Sequence, residues 1–170
     1  MVDLGSLDTL GEKAIAAESV LAALWRQRAA RDPILVVIDE AHNVCPREPR
    51  DEVTALATEH AARIAAEGRK FALYLLVSTQ RPHLVDELVV SQCDNLVLMR
   101  MTSASDLAYV ADVLSFAPSP LLREASAFRL GESLVTGKIT SHPALVRFGP
   151  RIAEEGGADV PTTWAQEHGG

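Results

Sequence analysis

The stretch ILVVIDEAHN, residues Ile34 to Asn43, limits the folds open to this chain more than any other. Five apolar residues, four of them β-branched, follow one another with no polar interruption. A strand with one wet face would alternate, so the run predicts a strand buried on both faces of a parallel sheet. It ends abruptly in Asp39 and Glu40. A strand of this kind places both carboxylates at the carboxyl edge of its sheet, where open α/β folds bind ligands.

The rest of the chain continues the alternation of helix and strand. A helix is expected from Asp8 to Arg31, its apolar positions Leu10, Ala14, Ala17, Leu21, Leu24 and Trp25 recurring at helical spacing until Asp32-Pro33. After a Pro-containing loop, a helix from Asp51 to Glu67 carries Val53, Leu56, Ala57, His60, Ala61 and Ile64 as one stripe, with Gly68 as its C-terminal cap. Phe71 to Thr79 reads as a second buried strand, Leu84 to Gln92 as a short helix, and Asn95 to Met101 as a third strand. Ser103 and Asp106 form a capping-box pattern for a helix to Leu114, and Pro118-Ser119-Pro120 opens another. Glu132 to Thr136 and Ala144 to Phe148 alternate like a hairpin at a sheet edge. The fold class expected is α/β with a mostly parallel sheet, flanking helices and a C-terminal edge hairpin. The domain spans 1–150, and the polar, Gly-rich residues 151–170 read as a tail or strap.

Composition narrows the setting. A chain of 170 residues with 48% hydrophobic and 23% charged residues suits one globular domain. Aromatics are scarce at 5%, so the core has to be built from Leu, Val, Ile and Ala. No apolar run approaches the roughly 20 residues that span a bilayer. The opening MVDLGSLDTLGEK carries acids early and has no basic segment of a signal peptide, so a cytoplasmic protein is expected. Cys45 and Cys93 stand alone, as free thiols do in a reducing compartment. A net charge of −7 excludes an overall basic face. Contact with nucleic acid has to be local or supplied by another part of the protein.

The strand ends suggest nucleotide chemistry. A hydrophobic strand closing in Asp-Glu is the Walker B arrangement. In it Asp39 holds Mg²⁺ through water, as hard cations prefer oxygen ligands, and Glu40 polarises the attacking water. The plainer reading is a strand that ends in solvated acids. The second strand, FALYLLVSTQRP, also ends in polar residues, Ser78, Thr79 and Gln80. A polar side chain there stands between the carboxylates and the γ-phosphate of ATP, with Gln80 the candidate, although STQ could simply cap the strand. A phosphate loop G-x-x-x-x-G-K-[ST] is not found. The nearest match, GESLVTGKI from Gly131 to Ile139, has five residues between its glycines and Ile139 in place of the metal-binding hydroxyl. It lies inside the hairpin pattern, so Gly137-Lys138 is read as a turn.

DEAH is also motif II of an RNA-helicase family, but the arginine-rich QRxGRxGR motif of that family is missing and Ser78-Thr79-Gln80 does not spell its Ser-Ala-Thr. The chain more closely resembles the C-terminal half of the ATPase domain in the HerA/FtsK class, ring-forming P-loop ATPases that translocate DNA. LWRQR, ILVVIDEAHNVCP, EGRKFALYLLVSTQRP, SQCDNLVLMRMTSASD and GESLVTGKITSHPALVRF carry the likeness. It implies a partial RecA-like domain, ATP and Mg²⁺ as cofactors, a homo-oligomeric ring (a hexamer), double-stranded DNA through the ring, room for a nuclease partner, and no membrane. It places Asp39 and Glu40 as the Walker B pair, Gln80 as sensor, and Arg69 as the arginine sent into a neighbouring subunit. Arg81 and Arg100 are weaker inter-subunit candidates. The β-barrel and phosphate-loop segment of that class are not in the chain, and Val2-Asp3-Leu4 reads as the end of a preceding strand. A second reading therefore stays open, an assembly or regulatory module that kept the fold without the phosphate loop.

Other residues get plainer assignments. His42, Cys45, His60 and Cys93 lack zinc-site spacing. His60 is expected as a satisfied core histidine, and His42 either hydrogen-bonds near the site or merely ends the strand. Met99 and Met101 are expected in the core.

Overall fold

A computed structural model of the chain describes residues 4, 7–150 and 152. The expected end of a strand at Val2-Asp3 and nearly all of the 151–170 tail lie outside the described residues. Helix α1 runs Leu10–Gln27 and continues as a tighter turn over Arg28–Ala30. Thr9 caps it: its hydroxyl accepts the Glu12 N–H while the Glu12 carboxylate reaches back to the Thr9 N–H. Strand β1 (Ile34–Ile38) leads through a single turn at Ala41–Asn43 and a loop to α2 (Glu52–Glu67), which is capped by the Asp51 side chain. Then follow β2 (Leu73–Val77), α3 (Glu87–Ser91), β3 (Asn95–Leu98), α4 (Ala104–Val113), α5 (Ser119–Arg123), β4 (Glu132–Gly137) and β5 (Ala144–Arg147).

The α/β class stands, with its strands in two ladders. β1 and β2 pair in parallel, whereas β3, β4 and β5 form an antiparallel sheet in that order. The third strand expected from sequence thus pairs antiparallel with the returning β4, where a mostly parallel sheet was expected. The β4–β5 hairpin forms where expected. At Gly137, φ is 108° and a Cβ would stand 2.2 Å from the Asp94 carbonyl oxygen, while the neighbouring Lys138 ammonium lies 2.8 Å from Asp94. This is turn chemistry and holds no phosphate cradle.

One cluster joins the elements, including Leu21 of α1, Ala61 and Ile64 of α2, Leu73 of β2, Val110 of α4 and Leu134 of β4. As the composition requires, it is mainly Ala, Val, Leu and Ile. Three expectations need correction. The stripe of α2 is turned by about one residue: Thr54, Ala57, Thr58, Ala61 and Ile64 are buried, Leu56 is exposed, and His60 is half-buried with Nδ1 bonded to the Leu56 carbonyl. Both threonines bury their small side chains within the fold, and the Thr58 hydroxyl donates to the Thr54 carbonyl at 2.9 Å. Met99 is 48% exposed, and only Met101 packs on the core.

The third correction matters most. β1 and β2 are covered on one face only. Leu35, Val37, Tyr74 and Leu76, which stand side by side in the parallel register, are 60, 58, 52 and 47% exposed. Strands apolar on both sides lie here with one side bare. Among the described residues no helix is long and apolar enough to cross a membrane.

Candidate functional site

The ends of β1 and β2 are stitched together beyond the strands themselves. Ser78 N–H donates to the Ile38 carbonyl and Ala41 N–H donates to the Ser78 carbonyl, each at 2.9 Å. These bonds hold the DE end of one strand against the STQ end of the other. Between them Glu40 turns the chain with φ 46° and ψ 51°. That is left-handed backbone, uncommon outside glycine and costing on the order of 1–3 kcal/mol. The turn is supported by the adjacent ladder, and it swings the Glu40 side chain toward β2.

Both oxygens of that carboxylate find partners. Gln80 Nε2 donates to Glu40 Oε1 at 3.2 Å, and His42 Nδ1 lies 3.3 Å from Oε2. The same Nδ1 is 3.0 Å from Thr79 Oγ1, which also accepts the Arg81 N–H at 3.0 Å. Asp39 is exposed beside them, and its Oδ1 accepts the Glu40 N–H at 3.0 Å. Asp39, Glu40 and Gln80, singled out from sequence, therefore meet at one carboxyl edge. His42, left between two roles by the sequence, belongs to the hydrogen-bonded group, and Thr79 joins it.

Arg69 does not meet them. It sits in the turn Gly68–Phe71 at the opposite end of β2, exposed to solvent. The five-residue strand between spans about 17 Å, less than a fully extended 69–80 segment because the turn curls up part of the chain. Gly68 does not end α2 by a left-handed cap, since its φ is −54°. It is needed for close approach: a Cβ there would lie 2.7 Å from the Leu73 carbonyl oxygen. The turn rests against Arg28–Ala30, where the Arg28 guanidinium lies 4.5 Å from the Trp25 ring centre and 5.4 Å from that of Phe71. Arg81 follows Gln80 and Arg100 follows β3, both exposed.

A second group that the sequence did not reveal holds the segment after Gln80. Asp106 on α4 is 4% exposed, and its Oδ1 accepts both the His83 N–H at 3.4 Å and the imidazole Nδ1 at 2.6 Å. One helical turn along, Tyr109 OH donates to the Val85 carbonyl at 3.4 Å. Arg47 N–H donates to the Leu84 carbonyl at 2.8 Å from the other side. Burial raises the Asp106 carboxyl, but hydrogen bonds from Ser103 and His83 outweigh it and hold the group below the ordinary carboxylate value. Only the Ser103–Asp106 spacing shows in sequence, where it marks a helix cap and nothing more. Burial, the main cause, pushes the Cys45 thiol up to about 12, and its Sγ donates to the Ala41 carbonyl at 3.3 Å; burial also raises the Cys93 thiol, which disfavours the thiolate at both.

No protein-family profile matches the chain. Individual proteins do. The DNA double-strand break repair helicase HerA of Sulfurisphaera tokodaii is 33% identical over 134 residues, covering 79% of this chain and 26% of that protein. HerA of Sulfolobus acidocaldarius is 29% identical over 171 residues, covering 96% of this chain and 34% of its own length. The chain is a homologue of the HerA helicases. It spans about a third or less of the length of these relatives. Among solved structures, the genome packaging NTPase B204 of Sulfolobus turreted icosahedral virus 2, in complex with ATPγS, aligns with a TM-score of 0.59 at 16% identity over 85% of this chain and 63% of that one. VirB4 of Thermoanaerobacter pseudethanolicus aligns with a TM-score of 0.58 at 15% identity, over 80% and 37%. At such identities the likeness is one of fold alone. The HerA homology thus extends over most of the chain that carries the Glu40–Gln80 edge.

Proposed function

We propose that the chain is the water-activating portion of an ATP-driven DNA helicase or translocase of HerA type, working in the cytoplasm. The observation that carries this reading is the Gln80 amide donating to the Glu40 carboxylate across the β1–β2 edge. A base and a polar group in contact at the carboxyl end of parallel strands can share one water between them, the arrangement nucleotide hydrolysis needs. Asp39, an exposed hard oxygen donor at that edge, suits Mg²⁺ held through water, and the ion would neutralise phosphate charge.

The chain has no G-x-x-x-x-G-K-[ST] loop, so the β- and γ-phosphates need a cradle from elsewhere. The bare face of Leu35, Val37, Tyr74 and Leu76 supports the reading that further strand and helix belong against this sheet. β2 has β1 as its one partner among the described residues, which leaves its second edge open to such a strand. Arg69, at the far end of β2, serves a neighbouring subunit's ATP in a head-to-tail hexameric ring, with Arg81 and Arg100 as further contacts. Double-stranded DNA runs through that ring, and a nuclease is a fitting partner. With a net charge of −7, the DNA contacts come from a local patch or from the rest of the assembly.

The test joins a phosphate-loop strand–loop–helix in frame ahead of this chain. Mg²⁺-dependent ATP turnover should appear, and Glu40→Gln should lower it about 100-fold or more while nucleotide binding persists. The 170-residue chain alone should turn over negligibly. Normal turnover in Glu40→Gln would overturn the role of Glu40. Binding without any turnover, in wild type as in the variant, would favour the assembly or regulatory module.

A further inference from the structure

The Glu40 turn leaves one contact whose chemistry is more specific than a strand end requires. His42 Nδ1 stands 3.3 Å from Glu40 Oε2 and 3.0 Å from Thr79 Oγ1, and the imidazole is only 17% exposed. An ionised carboxylate only accepts hydrogen bonds. A bare Nδ1 lone pair facing it would repel it, so the contact favours the tautomer with the proton on Nδ1. Thr79 Oγ1 cannot dictate the opposite tautomer, because a hydroxyl both donates and accepts. We propose that His42 is a positioning residue: its Nδ1–H, shared between Glu40 and Thr79, locks the Glu40 carboxylate in the orientation from which it draws a proton from water.

The parts fit that task. Ala41, between Glu40 and His42, is fully buried and bonded through its N–H to Ser78, so the imidazole has a rigid base. Thr79 is itself held by the Arg81 N–H, which ties the lock to the segment carrying Gln80. Glu40 is thereby flanked on two sides, by the Gln80 amide bonded to Oε1 and by His42 Nδ1 at 3.3 Å from Oε2. A long side chain on a strained backbone would otherwise sample several rotamers, and a displacement of about 1 Å in a reacting group can cost on the order of 100-fold in rate. The role rests on the reading of Glu40 as the water-activating base.

Two measurements test it separately. In the 170-residue chain, long-range ¹⁵N–¹H correlation at about pH 8.5, where an ordinary histidine is neutral, reports which ring nitrogen holds the proton. The signal is assigned by its loss in His42→Asn. His42 should show Nδ1–H, and in Glu40→Ala it should shift toward Nε2–H as the Thr79 hydroxyl turns to donate. An Nε2–H tautomer in the wild type, or no change in Glu40→Ala, would refute the lock.

In the protein carrying a phosphate loop, His42→Ala and His42→Gln should each lower kcat between about 10- and 100-fold with KM for ATP unchanged. His42→Asn should recover most of the rate, because its amide N–H lies where Nδ1–H stood, whereas Gln presents its amide nearer the Nε2 position. Equal loss in all three, or a change in KM instead of kcat, would also refute it. If Glu40→Gln hydrolyses normally, the base assignment fails and takes this role with it, even where the tautomer is as expected. An unexpected tautomer alongside an inactive Glu40→Gln removes the role of His42 alone.

Discussion

Gly68 and Gly11 show how far one residue type can differ in meaning. Gly11 lies in the first turn of α1 with nothing within 4 Å of the place a Cβ would take. There the glycine only adds freedom to the unfolded chain, and Gly11→Ala should stabilise by about 0.5–1 kcal/mol. At Gly68 the same methyl would stand 2.7 Å from the Leu73 carbonyl oxygen and 3.2 Å from side-chain atoms of Ile64 and Leu73. The obstacle is backbone on one side and packed core on the other, so the helical preference for alanine is outweighed. Gly68→Ala should lose about 1–3 kcal/mol. Urea midpoints of the two variants should move in opposite directions, and a shared direction would show that Gly68 is not a close-approach position. Glu40 makes the complementary point, since a non-glycine residue at φ 46° persists only where its surroundings hold it, here the ladder from Ile38 to Ser78 and Ala41.

At the scale of elements, α4 acts as the anchor for the segment that follows Gln80. Asp106 and Tyr109 project from one face of the helix and bind His83 and Val85 respectively. Exchanging the carboxylate for a neutral amide weakens the acceptor that the His83 N–H and imidazole share, because a charged acceptor forms the stronger bond, so Asp106→Asn should cost about 1–3 kcal/mol. Its pH signature has a definite sign. A carboxyl held below its unfolded value of about 3.8 contributes stability that is fully present above that pH and lost as the pH falls through the lower folded value. Acid unfolding of the wild type should therefore steepen below about pH 3.8, and Asp106→Asn should flatten that limb in a pH series of thermal melts. An unchanged acid limb would show that the hydrogen bonds from Ser103 and His83 to this carboxylate contribute nothing to folding. The boundaries of α4 were legible because Ser103 and Asp106 stand at capping distance. The partner of the Asp106 side chain was not, because His83 lies 23 residues away.

For the whole molecule, the polarity of β1 and β2 decides what Arg69 can do. Carboxylates gather at one end of the parallel pair and Arg69 sits at the other, about a strand length away. In a head-to-tail ring, that separation would place the arginine of one subunit toward the carboxyl edge of the next. Glu40→Gln and Arg69→Ala, each in the protein with its phosphate loop, should be nearly inactive alone. Mixed in one ring they should regain part of the activity, because an intact Arg69 can then serve an intact Glu40 across an interface. Mixed rings confirmed by native mass spectrometry but with no regained turnover would leave Arg69 as a solvated residue of the Gly68–Phe71 turn.

What the sequence determined by itself was local. Apolar runs specify strands, capping residues specify helix starts, and ILVVIDE together with FALYLLVSTQ predicted that Asp39, Glu40 and Gln80 share an edge, because parallel strands align their carboxyl ends. Tertiary structure decided everything that depends on a second element. Pairing of β3 with β4 over β2, the rotation of α2 that exposes Leu56, and the bare face of Leu35 and Leu76 follow from which neighbours are present, and an apolar strand reads alike with or without them. The joining of His42 to Thr79, 37 residues apart, required the hydrogen bonds that carry the ladder past the strand ends. Periodicity along one strand reports which faces can be buried. The choice of what buries them, and of which side chains then meet, is made by packing.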